Sequence, residues 1–283
     1  MRKLRVRGLP RLMFSISRLM FGSGVINVQL TSGFKLLIDP GDYFGCMMLC
    51  SRYAPEILTL MQRLVRHGDS VIDVGAQLGF ITGHLALLVG PSGSCASFEP
   101  DPNAVARLTW MVHENGFNWV RIFPLAAGDA DGEIPFLVSP ILGWSTAVSG
   151  SHLKNLSQIQ VRVRRIDDIA AAGGIRRPVK FIKIDVEGFE CAVLDGMESL
   201  INEDRPTVVL EINPRMLAAR GDNSVKLLKR LFCQNYEVHR IHEQRGLFQG
   251  GVVRLDKVEE ATDLGSCDVL CFPREIHLPD GLA

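Results

Sequence analysis

The chain has 283 residues, enough for one large core or a core with an extension. It is 47% hydrophobic and 22% charged, with 31 basic residues against 31 acidic, a balance that argues against bulk nucleic-acid binding, which needs a basic face to displace counterions. Its seven cysteines form no C-x-x-C pair and have no histidine cluster beside them, so free thiols in a reducing compartment are expected rather than zinc or disulfides.

The charge is uneven at the start of the chain. Arg2, Lys3, Arg5, Arg7, Arg11, Arg18 and Lys35 all precede the first acid, Asp39. The apolar part of residues 1–24 is short, is interrupted by Arg18 and is followed by no A-x-A-like site, so it does not read as a signal peptide or a bilayer span. An arm packed on the domain is one reading, and a basic segment resting on an anionic membrane surface is the other. Residues 1–55 are expected to form an extension and 56–283 one domain, cytoplasmic, with peripheral membrane contact left open.

From residue 70 the pattern becomes regular. Short apolar runs at 70–74, 94–98, 120–125, 181–184 and 207–212 predict buried strands, and 81–89, 102–114 and 191–201 carry the helical period. Strand and helix alternating over short loops imply an α/β fold, a doubly wound and mostly parallel sheet with both faces covered. Residues 160–164 alternate as an edge or insertion strand would. Residues 224–232 predict a helix capped by Asn223, and 236–241 with 268–272 predict an antiparallel hairpin at one sheet edge.

In such a sheet a ligand binds beyond the carboxyl ends of the strands, where strand order reverses. The first strand runs into VIDVGAQLGF, with Asp73 inside it and Gly75, Ala76, Gln77 and Gly79 in the turn. A pyrophosphate turn would need glycine at position 77, where a glutamine side chain would crowd the phosphates. This weighs against a nicotinamide oxidoreductase and suits a ligand without phosphates. The second strand ends in Phe98-Glu99-Pro100, and a carboxylate there can accept hydrogen bonds from both hydroxyls of a ribose. The third ends in Ala126-Ala127-Gly128-Asp129, where small residues leave room for a flat base and Asp129 could meet its amine. Adenosine without phosphates is the consistent ligand, and S-adenosylmethionine fits.

The stretches VIDVGAQLGFIT, ASFEPDPNAVARL, PLAAGDADGE and above all FIKIDVEGFECAVLDGM resemble the FkbM-type S-adenosylmethionine-dependent methyltransferases over roughly residues 68–213. The resemblance implies the class I methyltransferase (Rossmann-like) sheet. It implies that Asp73, Gly75, Ala76 and Gln77 line the methionine part of the cofactor, that Glu99 holds the ribose and that Ala127 to Asp129 flank the adenine. Asp185 and Glu187 would face the reacting centre. The chain departs from the family at Gln77 and Met111, where asparagine is usual.

Methyl transfer to a hydroxyl also needs a base or a metal. Asp185, Glu187 and Glu211 are the candidates, with Asp185, Glu211 and Asn213 a candidate oxygen set for Mg²⁺. His84, His113, His239 and His242 are weaker candidates, and residues 139–146, with Trp144, could wall an acceptor site. The expected activity is O-methylation of a sugar hydroxyl in a glycolipid or polysaccharide, or of a natural-product hydroxyl. N-methylation of a peptide amide and a non-catalytic cofactor-binding module are the alternatives.

Overall fold

A computed structural model describes residues 9–22, 24–139, 156–242 and 253–277. The chain begins with helix α1 (Leu9–Phe21), a two-stranded hairpin of β1 (Ile26–Gln29) and β2 (Lys35–Ile38), and helices α2 (Tyr43–Leu49) and α3 (Pro55–Leu64). The alternating units follow: β3 (Ser70–Val74), α4 (Phe80–Val89), β4 (Ser94–Phe98), α5 (Pro102–Glu114) and β5 (Val120–Phe123). An insertion carries β6 (Ala126–Ala127), β7 (Gly132–Val138) and β8 (Ser157–Arg164), and helix α6 (Ile166–Ala171) leads back to the sheet. Then come β9 (Val179–Ile184), α7 (Glu190–Asp195), α8 (Glu198–Asp204), β10 (Thr207–Ile212), α9 (Pro214–Ala219) and α10 (Ser224–Cys233). Strands β11 (Tyr236–His242), β12 (Arg254–Lys257) and β13 (Cys267–Pro273) close the described chain.

The large sheet has the order β12-β11-β13-β10-β9-β3-β4-β5, and the run from β10 to β5 is parallel. Alternate residues of each central strand feed opposite layers, as a strand period of two requires. Ile72, Ile182 and Val208 enter a core with Val193, Met197 and Leu231, while Val71, Phe181 and Val209 enter one with Leu60, Leu85 and Leu108. The hairpin completes the second layer: Phe34, Leu36 and Ile38 are fully buried there.

The expected α/β fold is present, with three differences in detail. Strands β11 and β13 pair antiparallel on one side of the sheet as expected, but β13 also slots against β10 and the outermost place goes to β12 beside β11. The helix expected over 191–201 is two, α7 and α8, broken at Gly196, where an added Cβ would overlap the Gly128 carbonyl oxygen. The strand at 160–164 belongs to a separate three-stranded sheet, β6-β8-β7, whose Phe136 becomes a wall of the cleft described below. Asn223 caps α10 as the sequence suggests, accepting from Lys226 N at 2.8 Å.

Candidate active site

Strand order reverses between β3 and β9, and a cleft opens at their carboxyl ends. It holds about 620 Å³ of space between atoms, open solvent at its mouth included.

The turn after β3 forms one wall. Gly75 N and Ala76 N both donate to the Phe98 carbonyl at 3.0 Å, and Asp185 N donates to the Val74 carbonyl at 3.0 Å, so β4 and β9 clamp the turn from both sides. Gly75 has φ +83°, and a Cβ there would overlap the Asp185 carbonyl oxygen. Gln77 takes φ +48°, an uncommon left-handed conformation for a residue with a side chain, and its N–H donates to Glu99 Oε2 at 2.8 Å.

Glu99 is 5% exposed and lies on the cleft wall. Its other oxygen accepts from Asp101 N at 2.8 Å, so two backbone donors fix the carboxyl plane. Burial outweighs those donors and pushes its pKa up to about 7. Beyond it the cleft turns apolar, walled by Ala104, Leu125, Ala126, Ala127, Phe136 and Phe189. A diol acceptor next to a flat apolar slot is what a nucleoside needs.

Acidic groups gather on the same cleft. Lys183 points into the layer that holds Asp73, its partner across β3, and its Nζ lies 2.6 Å from Asp185 Oδ2. Burial works against the lysine's charge, but the Asp185 and Asp73 carboxylates overcome it and hold the ammonium protonated. Burial also opposes charge on Asp185; Lys183 and a hydrogen bond with Glu211 outweigh it and hold that carboxyl below the usual range. Glu211 shows the reverse: the Asp185 charge, then burial, push its pKa up, so the two carboxyls titrate as a pair.

Glu187 completes the cluster by its backbone. It sits at φ +52°, with Gly188 at +99° behind it, and this loop brings oxygens of Asp185, Glu187 and Glu211 within 4.8 Å of one another. Glu190, fully buried, holds the loop: its Oε1 accepts from Gly188 N at 3.0 Å and Val186 N at 3.4 Å. Burial, then the charges of Asp185 and Glu190, push Glu187 up to about 7. Tyr53, from the segment joining α2 and α3, packs edge-on against Phe80 with centroids 5.2 Å apart. Burial and then the Asp185 charge raise its pKa.

Of the residues expected at a site, Gly75, Gln77, Glu99, Pro100, Ala127, Asp185 and Glu187 line the cleft, and Glu211 adjoins the last two. Asp73 lies beneath the floor, accepting from Thr82 Oγ1 at 2.6 Å. Ala76 is buried behind the turn, and Gly79 starts α4 against Met111, a core residue whose replacement of asparagine therefore bears on packing. Gly128 is packed under Val163 and Phe189.

Asp129 does not reach the slot. Its side chain is exposed, and its carbonyl accepts from Arg165 Nη1 at 2.9 Å. Asn213 does not offer its oxygen to the carboxylates: Oδ1 caps α9 through Met216 N, and Nδ2 donates to Glu187 Oε2, both at 3.4 Å. Glu187 takes its place in the trio.

The histidines lie elsewhere. His84 Nδ1 is 2.8 Å from the Phe80 carbonyl in an aromatic contact with Phe34, His113 is exposed, and His239 and His242 pair with Glu237 and Asp256. The 140–146 stretch with Trp144 is outside the described residues. Sequence reasoning missed Lys183, Phe136, Phe189 and Tyr53. Only Lys183 carried a signal, a lysine two positions before Asp185 inside an apolar run.

Comparison with known proteins agrees with the motifs. The model of the "Methyltransferase FkbM domain" family matches residues 73–241. The hexuronic acid methyltransferase AglP of Haloferax volcanii is 28% identical over 162 residues, 56% of this chain. The match spans 62% of that relative's length, less than two thirds. Among solved structures, the FkbM methyltransferase of Methylobacillus flagellatus is 16% identical with a TM-score of 0.45, over 93% of this chain and 59% of that one. The O-methyltransferase of Bacillus cereus in complex with SAH is 10% identical with a TM-score of 0.43, over 77% of this chain and 80% of that one. The family match covers more than half of the chain and includes the turn, Glu99 and the carboxylate cluster: the chain belongs to the FkbM methyltransferase domain family.

Proposed function

We propose that the protein is an S-adenosylmethionine-dependent methyltransferase that methylates a hydroxyl, with a sugar or uronic acid as the acceptor class. The observation that carries this is one cleft lined by a carboxylate suited to a diol, by small and aromatic apolar residues and by a carboxylate cluster. The acceptor class is supported by the hexuronic acid in the relative's name.

The cleft suits the cofactor. Glu99 would hold the ribose, Ala127, Phe136 and Phe189 the base, and Gly75, whose missing side chain lets the Asp185 loop close on the turn, lines the same cleft. When bound, S-adenosylmethionine supplies a methyl group on a positively charged sulfur. The enzyme's part is then alignment, worth up to about 7–11 kcal/mol, together with removal of the acceptor's proton. Glu187 is the base: it lines the cleft, and a pKa near 7 leaves it free to accept a proton at neutral pH. Asp185, ion-paired with Lys183 and hydrogen-bonded with Glu211, orients the cluster.

A divalent cation fits this donor set poorly. The Lys183 ammonium already occupies Asp185 Oδ2, and Asn213 has turned its oxygen to a helix cap. Methyl transfer is therefore expected to continue unchanged in a chelator, measured by label transfer with and without EDTA. Loss of turnover that Mg²⁺ restores would return the metal to the site.

The cofactor reading is tested by calorimetric titration with S-adenosylhomocysteine. Saturable binding is expected, with no heat from NAD and affinity lowered roughly ten- to a hundredfold in Glu99→Ala, the loss that goes with removing charged hydrogen bonds. A folded protein that binds nothing would favour a scaffold without catalysis. Label transfer to a peptide amide and to no sugar would replace the hydroxyl acceptor.

A further inference from the structure

Helix α1 is held by one face and leaves an apolar face outside. Phe14 meets Tyr43 edge-on with centroids 6.1 Å apart, and Ser17 Oγ donates to the Pro40 carbonyl at 2.8 Å, so positions 14 and 17 face the body of the protein. Ile16, Leu19 and Met20, three and four residues apart, are 48%, 88% and 70% exposed. That spacing places them on one stripe of the helix. Leu9, Leu12 and Met13 continue the same spacing in the sequence.

Scattered exposed leucines mean nothing, but these are not scattered. Among the described residues seven large apolar side chains are exposed, and five of them (Ile16, Leu19, Met20, Val25 and Tyr43) fall within residues 16–43. Along the chain up to residue 38 the charge has one sign, and the first acids, Asp39 and Asp42, flank Pro40 on the side where Ser17 is held. Exposed Arg18 lies on this helix, Arg11 precedes it by two turns, and no acid occurs before Asp39. Among the described residues no helix is long and apolar enough to cross a membrane. A short helix with a bulky apolar stripe and a purely basic complement has the composition of one that lies in a bilayer surface.

We infer that α1 docks the protein on an anionic phospholipid surface, laying Ile16, Leu19 and Met20 among the headgroups while the segment's basic residues supply the attraction. A series of aromatic rings also links the helix to the carboxylate cluster. Phe14, Tyr43, Phe44 and Tyr53 touch in series with centroids 5.9–6.1 Å apart, and Tyr53 stands beside Asp185, Lys183 and Glu211. An acceptor carried on a lipid would thus be presented near those carboxylates. This last placement rests on the methyltransferase reading, whereas the docking does not.

The test is sedimentation of the full chain with vesicles of phosphatidylcholine alone or mixed with phosphatidylglycerol. Binding is expected only to the mixed vesicles and should weaken with salt, because each basic residue near such a surface contributes roughly fivefold. The triple variant Ile16→Ser, Leu19→Ser, Met20→Ser changes exposed side chains only. It should lose at least about tenfold in partitioning while keeping its melting temperature and S-adenosylhomocysteine affinity. No binding to either vesicle, or salt-sensitive binding that the triple variant retains, overturns the docking. So does a wild-type dimer that the triple variant dissolves, since a second copy would then cover the stripe. Vesicle binding without S-adenosylhomocysteine binding would sink the cofactor reading and leave this one standing.

Discussion

Glu187→Gln is expected to lose about 10²–10⁴-fold in turnover while binding S-adenosylhomocysteine as before. Glutamine keeps the shape at φ +52° and an oxygen for Asn213 Nδ2, but it cannot take a proton. The pH profile separates a base from a structural residue. Burial and the neighbouring charges hold the Glu187 carboxyl protonated up to about 7, so wild-type turnover should climb as pH rises through that value, and the variant should lack the limb. The stability has the opposite slope. The folded state keeps this proton to about 7, against an ordinary value of 4.5, so the group's contribution is full below 4.5 and is lost as pH rises through about 7. Glutamine should flatten that fall in melting temperature. A variant with near wild-type turnover and an unchanged profile would remove Glu187 from the chemistry.

Gly75→Ala should be the most damaging single methyl in the protein. The position combines φ +83° with a Cβ direction that runs into the Asp185 carbonyl oxygen, so both backbone strain and displacement of the β9 loop follow. Strain of this kind costs about 1–3 kcal/mol, and each kcal/mol lowers the melting temperature by about 2–4 °C in a domain of this class. Because the displaced loop carries Asp185 and Glu187, loss of S-adenosylhomocysteine binding and of turnover should accompany the drop. Gly265→Ala, with nothing near its Cβ, is the control and should be neutral. Melting and affinity both unchanged in Gly75→Ala would mean that the turn is not clamped between β4 and β9.

Much of this was legible in the sequence because it is encoded locally. The buried runs at 70–74, 94–98 and 207–212 became β3, β4 and β10 with the same bounds, and 102–114 became α5. Where Pro135 interrupts the alternation, β7 escaped notice, and Pro in a strand is tolerated at a sheet edge, which is where β7 lies. The break between α7 and α8 was equally hidden, since Gly196 fits a helical period and only the nearby Gly128 carbonyl explains it.

By itself the sequence determined the αβ alternation, the glycine turn at 75–79, an acid at the end of the second strand and the family, all features set by neighbours a few residues apart. Tertiary structure decided what depends on groups far apart in the chain. It placed β13 between β10 and β11, set Phe136 from the insertion against the cleft and turned Asp129 out to solvent. It also fixed the electrostatics: Lys183 pairs with Asp185, Asp185 pushes the Glu211 carboxyl up, and a left-handed residue brings Glu187 to both. A carboxylate's proton is set by the charges and burial around it in space, and sequence spacing carries neither.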